Sequence, residues 1–439
     1  TRADAIDRRW KRIAFPVAAS HWVAATGLLG HARHTKFDAV NEMVEHALPE
    51  ITLLPGQDQR ILRGHPWVFA NEIAQSDAAR ALEPGTLVRF LDAKGGFLGT
   101  AGYNPKTHIA ARILERDPAL SIDRAWIAAR LRRALEWRGR VLDTRYCRLI
   151  HAEADGLPGL ILDRYGDVIV AQPNAAVMER LWPAIEVSLQ DLLAPRSILV
   201  AGDGAVRATE GLPADRRLIG EPLADPIAVE ENGVTYLADL WTGQKTGWFY
   251  DQRDNRAFAA SLSRDRSVLD VYSYTGGFAL ACARAGARSV VAVDGSKAAL
   301  DLAQAAAARN GLAPICAFRV AEAFGELARL ASAGTRFEVV ITDPPAFAKS
   351  KKDIAPALKG YRKLARMAAQ VTAPGGILIA ASCSHHVGMD AFRAEVARGA
   401  CQAGRNARIL REAGAAPDHP VHPMLPQSAY LKAIALVLD

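Results

Sequence analysis

"SVLDVYSYTGGFAL", residues 267 to 280, sets a short β-branched run against a turn with two adjacent glycines and then an apolar stretch. The run reads as a strand and its continuation as a helix. Gly276 and Gly277 fall where one gives way to the other, where a bare backbone can approach a ligand at a helix start. The same alternation then repeats. "SVVAVD" (289 to 294), "ICAFRV" (315 to 320), "FEVVITD" (337 to 343) and "GGILIAASC" (375 to 383) are short strand-like runs. Between them lie Ala- and Leu-rich segments such as "SKAALDLAQAAAARNGL" (296 to 312), with helical period and a glycine stop. This predicts an α/β domain built on a parallel sheet, with its ligand beyond the carboxyl ends of the strands.

The residues that close those strands are therefore the candidate site. Around the first turn, Asp270, Tyr272, Gly276, Gly277 and Phe278 are candidates for holding a cofactor, and Asp294 ends the second strand, where a carboxylate can accept both hydroxyls of a ribose. The turn is not G-x-G-x-x-G, which counts against a dinucleotide. It suits a ligand with ribose and adenine but no pyrophosphate, which describes S-adenosylmethionine. The plainer reading of the glycine pair is a tight turn only.

The fourth strand runs into "ITDPPAFAKSKKD" (341 to 353), where Pro344 and Pro345 stiffen the loop and keep it from turning helical. Such a loop can hold a planar base against Phe347 while Asp343 meets its polar edge. Lys349, Lys351 and Lys352 follow where a phosphate backbone needs charge, although a charge run by itself is ordinarily a solvated face. The fifth strand ends at Cys383. If the fourth and fifth strands are neighbours, about 4.8 Å apart, Asp343 and Cys383 face one cleft. A thiolate adding to C6 of cytosine turns the ring into an enamine able to attack a methyl group from C5, with Asp343 stabilising the proton at N3. The alternative is that Cys383 is a small buried hydrophobe, as Cys282, Cys316 and Cys401 are expected to be. His385 and His386 are either acceptors of the C5 proton or surface histidines. Lys245 is the candidate for the positive field that would activate the thiol.

At 439 residues and 50% hydrophobic content, the chain can bury more than one core, and two or three domains are expected. No apolar run is long enough to span a membrane, and no leader sequence is recognisable, which makes the cytoplasm the default. The 5 cysteines are odd in number and scattered, so neither a disulfide framework nor a metal site is expected. A net charge of +7 fits a polyanionic partner. Residues 1 to 50 mix Arg, His and Trp without steady period. They read as an extension outside the core fold, with Met43 a candidate native start. Short apolar stretches split by Pro and Gly from 51 to 118 predict a small, strongly bent sheet. Residues 119 to 240 predict an α+β middle domain that opens with a helix. That helix bears an arginine stripe (Arg124, Arg130, Arg132, Arg133, Arg138, Arg140), and RNA binding is expected to be divided between the sheet-rich N-terminal domain and the basic surface around Arg130, Arg133 and the lysine run. Residues 241 to 439 hold the βα alternation.

In combination, "GQKTGWFYDQRDNR" (243 to 256), "DVYSYTGGFAL", "TDPPAFAKSKKD", "SCS" and the terminal "DHP…YLKAIALVL" resemble the large-subunit ribosomal RNA cytosine-5 methyltransferases of the methyltransferase I type. "GHPWVFANEI" with "GTLVRFLD…FLGTAGYNP" resembles that family's PUA RNA-binding domain, and "EADGLPGLILDRYGD" its middle domain. The resemblance implies a class I, Rossmann-like methyltransferase fold behind the PUA and middle domains, S-adenosylmethionine as donor, ribosomal RNA as partner and Cys383 as nucleophile. It also implies that Tyr250 and Gln252 lie at the donor, and that Lys245, Thr246 and Arg253 lie at the RNA with Pro344, Pro345 and Phe347. Oligomeric state stays open, a homodimer included. Two departures stand out. Glu322 in "AEAFGEL" replaces the usual Asp at the adenine, and "SCSHHV" replaces a glycine-containing loop. Two rival readings remain: a guanine-nitrogen methyltransferase with a similar Asp-Pro-Pro loop, and an RNA-binding scaffold whose catalytic half has decayed.

Overall fold

Strands Glu50–Thr52, Thr86–Leu91, Phe97–Tyr103, Ile109–Glu115 and Trp67–Phe69 form a five-stranded sheet in that spatial order, in a computed structural model that describes residues 48 to 243 and 246 to 439. Of the extension expected over residues 1 to 50, residues 1 to 47 with Met43 lie outside the described residues, as does Lys245, whereas Glu50 already belongs to the first strand, paired with Arg89. Register shifts at Val68/Phe69, Phe90/Leu91 and Thr100/Ala101 bend the strands, so this small sheet can wrap a core of its own around Ile61, Val68, Phe90 and Tyr103.

The middle segment opens with helix Arg124–Arg138, whose N-terminus is capped by Asp123 accepting from the Trp126 amide at 2.8 Å. It buries Trp126, Ile127 and Leu131 against a sheet whose strands run Asp215–Gly220, Ser197–Gly202, Val168–Pro173, Leu160–Tyr165, Tyr146–His151. The predicted arginine stripe is divided by this packing. Arg132 and Arg133 are exposed, but Arg138 is fully buried with its guanidinium on Asp155 at 2.7 Å. Arg130 pairs with Glu115 at 2.9 Å over the Trp126 ring and is a junction residue, contrary to its expected place on a free RNA-binding face. Trp67 Nε1 donates to Glu153 at 2.8 Å and Arg112 pairs with Glu210 at 2.7 Å, so the first sheet is docked on the second.

A hairpin, Ile227–Glu231 with Val234–Ala238, turns at Asn232-Gly233, both with positive φ (51° and 76°) as a tight two-residue turn requires. It leads to the third sheet: β1 (Ser267–Val271), β2 (Ser289–Asp294), β3 (Cys316–Val320), β4 (Phe337–Thr342), β5 (Thr372–Ser382), β6 (Ala407–Ala413) and β7 (Lys432–Leu438). The order is β3-β2-β1-β4-β5-β7-β6; β1 to β5 are parallel, and β7 runs antiparallel between β5 and β6. Alternate residues serve two cores. Val268 and Ile341 face helices α1 (Gly277–Arg284) and α2 (Lys297–Arg309), while Leu269, Val271 and Val340 face α3 (Ala323–Ser332), α4 (Ile354–Val371) and α5 (Met389–Gln402). Cys282 is buried as expected, but Cys316 is only partly buried on the edge strand β3 and Cys401 is exposed on α5. Among the described residues no helix is long and apolar enough to cross a membrane.

Candidate active site

At the carboxyl ends of β1, β2, β3, β4 and β5 lies a cavity of about 490 Å³. Its floor is the β1–α1 turn, where Tyr272, Tyr274 and Gly276 all take positive φ (66°, 50° and 83°). For two tyrosines this backbone is costly, and the surrounding contacts hold it. Asp294 accepts the Tyr274 amide at 2.9 Å, and Asp270 accepts the Ser273 hydroxyl at 2.7 Å and the Ala279 amide at 2.9 Å. A side chain at Gly276 would stand 3.0 Å from Ala303 and at an unfavourable φ, so glycine is required there. Asp270 itself is fully buried beneath the turn, and Gly276 caps α1, so neither lines the cavity; they shape it. Burial pushes the Asp270 carboxyl up to about 6, against the lowering pull of those two hydrogen bonds.

Tyr272, Gly277, Phe278, Asp294 and Glu322 line the cavity. Glu322 also caps α3, accepting the Phe324 and Gly325 amides at 3.0 and 2.7 Å. The buried hydroxyl of Thr275, which also faces the cavity, has no hydrogen-bond partner among the described residues. An unsatisfied buried hydroxyl is costly, and a polar ligand group in the cavity would satisfy it. Carboxylates ending β2 and β3, a glycine-floored turn and this orphan hydroxyl fit S-adenosylmethionine.

At the other end of the same cavity stand Asp343, Pro344, Pro345 and Cys383. β4 and β5 are hydrogen-bonded neighbours, with Thr342 opposite Ala380, so the expectation that carboxylate and thiol meet in one cleft holds geometrically. Gln252 donates to Asp343 at 2.9 Å and is itself braced by Asn255 at 2.7 Å. Tyr361 ties the loops together. Its hydroxyl accepts from Ser382 at 2.8 Å and shares a 2.7 Å hydrogen bond with Ser384, whose oxygen accepts the Ala348 amide at 3.2 Å. The thiol between these serines is therefore clamped to the Asp-Pro-Pro loop.

Several sequence expectations are redirected. Phe347 stacks on Tyr361 (centroids 4.7 Å, 27°) and does not line the cavity, because α4 offers it a ring at closer range than the cleft does. Thr246 is buried and donates to Asp163 at 2.5 Å, pinning the third sheet to the second; it is no substrate contact in this geometry. Arg253 donates to the Tyr146 carbonyl and lies outside the cavity, drawn towards the buried carboxylates of Glu231 and Asp418. Tyr250 is buried, donates to the Arg164 carbonyl at 2.8 Å and faces a different cavity. His385 and His386 are exposed; His385 stacks on Tyr430. Lys349, Lys351 and Lys352 are exposed at the approach to α4. Local reading missed Trp248 and Leu431, which line the cavity, and Lys432, the first residue of β7. A lysine opening an otherwise apolar strand in "YLKAIALVL" was the available signal.

A cleft of this kind on this sheet order defines an S-adenosylmethionine-dependent methyltransferase, and residues 209–435 match the family model of that description, while residues 51–116 match a PUA-like domain. The fold is shared with a structure described as a SAM-dependent methyltransferase from Streptococcus mutans (TM-score 0.74, 19% identity, 89% of this chain and 100% of that one). It is shared also with a methyltransferase complexed with SAH (TM-score 0.76, 20% identity, 89% and 100%). In sequence the chain is 37% identical over 392 residues to the ribosomal RNA large subunit methyltransferase I of Cronobacter sakazakii, covering 88% of this chain and 98% of the relative. It is 36% identical over 389 residues to the protein of that name from Pseudoalteromonas atlantica, covering 88% and 98%. The chain belongs to the ribosomal RNA large subunit methyltransferase I family.

Proposed function

We propose that this enzyme methylates C5 of a cytosine in large-subunit ribosomal RNA, with Cys383 as covalent nucleophile, in the cytoplasm. The observation that carries this reading is the meeting of Cys383 and Asp343 in one cavity, at the ends of adjacent parallel strands. The family's name and the PUA-like domain support RNA as the substrate. When bound, S-adenosylmethionine supplies an electrophilic methyl group.

Everything else falls to the chain. Tyr272, Thr275, Asp294 and Glu322 hold the donor at one end of the cavity. At the other end the Cys383 thiolate adds to C6 of the target base, forming an S–C6 bond. Asp343, oriented by Gln252, stabilises a proton at N3 as negative charge builds there, leaving C5 as an enamine carbon. Once C5 carries the methyl group, with S-adenosylhomocysteine as the leaving group, the C5 proton passes to solvent water, the C5–C6 double bond re-forms and the S–C6 bond breaks to return the thiolate. A ring nitrogen or exocyclic amine would need no thiol at this position, which favours cytosine C5 over a guanine nitrogen.

Incubation with labelled donor and unmodified ribosomal RNA, followed by nucleoside analysis, tests the assignment: label is expected in 5-methylcytidine, and label in 7-methylguanosine overturns it. Cys383→Ala is expected to bind donor and RNA normally and to lose nearly all turnover. Wild-type enzyme given 5-fluorocytosine at the target is expected to trap a protein–RNA adduct. Turnover by Cys383→Ala within about tenfold of wild type, only ~1.4 kcal/mol in the barrier, would make the thiol a packing residue.

A further inference from the structure

A second cavity, of about 470 Å³, adjoins the first. Trp248, Phe249 and Asp251 line both and so form a common wall. That wall is fixed by the Tyr430 hydroxyl, which donates to Asp251 at 2.5 Å. Cys383 faces the first cavity, while His385, two residues along, faces the second. Its other walls come from far apart in the chain: Trp67 from the first sheet, and His151, Gln172 and Asn174 from the middle one.

The lining is planar. His385 stacks on Tyr430 with centroids 5.0 Å apart and 26° between planes, and the His151 ring lies 6.4 Å from Tyr430 at 32°. His151 is neutral: burial first, then the Arg148 charge, hold its imidazole down at about 2. Arg148, the guanidinium in the lining, is committed to Asp163 through bonds of 2.6 and 2.8 Å. A phosphate would therefore find little here. The side-chain amides of Gln172 and Asn174, however, make no hydrogen bond among the described residues, and each offers both a donor and an acceptor. Planar rings beside unspent amides are what an unstacked nucleobase needs, a face to stack on and groups to pair with its edge.

We propose that this cavity binds the base of the nucleotide next to the methylated one. The inference rests on the RNA methyltransfer reading. An RNA strand that places its target base against Cys383 must carry its phosphodiester-linked neighbour past the common wall, and extracting the target from its stack frees that neighbour too. The cavity takes the neighbour in, so the enzyme reads sequence context at one position beside the target.

The test measures equilibrium binding of a fragment of unmodified large-subunit ribosomal RNA in the presence of S-adenosylhomocysteine, with an abasic nucleotide walked through the fragment. Wild type is expected to lose about tenfold in affinity when the base beside the target is missing. His385→Ala and the Gln172→Ala/Asn174→Ala double variant are expected to bind intact RNA about tenfold more weakly and to lose nothing further at that position. Among the described residues the amides have no hydrogen-bond partner to forfeit, so the double variant is expected to keep the fold. Equal abasic losses in variants and wild type at every position overturn the proposal, as does coupling at the target nucleotide itself. Nucleoside analysis of the same RNA reads the function separately, since binding needs no turnover: absence of 5-methylcytidine overturns the reaction assigned, whereas additive losses overturn the subsite.

Discussion

Lys432 stands opposite Ser382 in the antiparallel pairing of β5 with β7, one residue from Cys383, and its ammonium donates to the Ser384 and Tyr430 carbonyls at 2.6 Å each. The side chain is buried. Burial pulls its pKa down to about 8, and the nearby Cys383 pulls it back up, so at neutral pH a cation is held beside the thiol. A cation there favours thiolate.

Replacing Lys432 by Met removes that charge. We expect turnover at pH 7 to fall at least tenfold, about 1.4 kcal/mol, and the acid limb of the pH–rate profile to move to higher pH. Alkylation of Cys383 by iodoacetamide, followed against pH, checks the cause. An unmoved alkylation profile would reduce Lys432 to a structural donor.

Gln252 lines the cavity and donates to Asp343, so its loss leaves that carboxylate without its brace. Gln252→Ala is expected to lower kcat by about ten- to a hundredfold while leaving the dissociation constant for S-adenosylmethionine within threefold, a change of about 0.6 kcal/mol or less. Steady-state kinetics beside calorimetric titration of the donor separates the two.

Asp270 makes stability depend on pH. Its folded pKa of about 6 lies above the ordinary value of 3.8 because burial outweighs the Ser273 and Ala279 hydrogen bonds. A carboxyl raised in the folded state contributes stability that is fully present below pH 3.8 and is lost as pH rises through 6. Asp270→Asn removes that titration. Urea midpoints for both proteins are expected to diverge between pH 4 and pH 6 in favour of the variant, by on the order of 2 to 3 kcal/mol in all.

Glu231 and Arg256 form a buried two-bond pair, 2.6 and 2.7 Å, that joins the hairpin to the helix before β1, with the guanidinium over Trp248 at 4.6 Å. Glu231→Ala strands a buried cation and is expected to cost about 3 to 5 kcal/mol. Glu231→Leu combined with Arg256→Met is expected to recover much of this in the same urea titration. Failure to recover would point to a direct role of the pair in shaping the cavity wall.

Lys351 and Lys352 are exposed beside the Asp-Pro-Pro loop. If they meet phosphates, changing both to Ala is expected to reduce the slope of log affinity against log salt by about 1 to 2. An unchanged slope would make the run a solvated helix start.

The parts of this protein legible in its sequence are those governed by neighbours in the chain. Short β-branched runs closing at Val271, Asp294, Val320, Thr342 and Ser382, each followed by a helical stretch, define the parallel sheet and so the edge on which its ligand must sit. The Gly276-Gly277 turn, the Asp343-Pro344-Pro345 stiffening and the thiol at a strand end are local devices of the same kind, since backbone conformation is set within a few residues. Side-chain direction is another matter. Phe347, Thr246 and Arg253 carried plausible chemistry for a substrate, but they turn to Tyr361, Asp163 and the Tyr146 carbonyl because those partners bring a ring, a buried carboxylate and a buried oxygen within reach. Lys432 reaches Cys383 only because β7 inserts antiparallel beside β5, and Trp67, His151 and His385 line one cavity only after the first two sheets have docked on the third. Most such pairings join residues well beyond the reach of a single element, some of them hundreds of positions apart. Burial and complementary charge select them across the whole fold, and no local pattern carries that information.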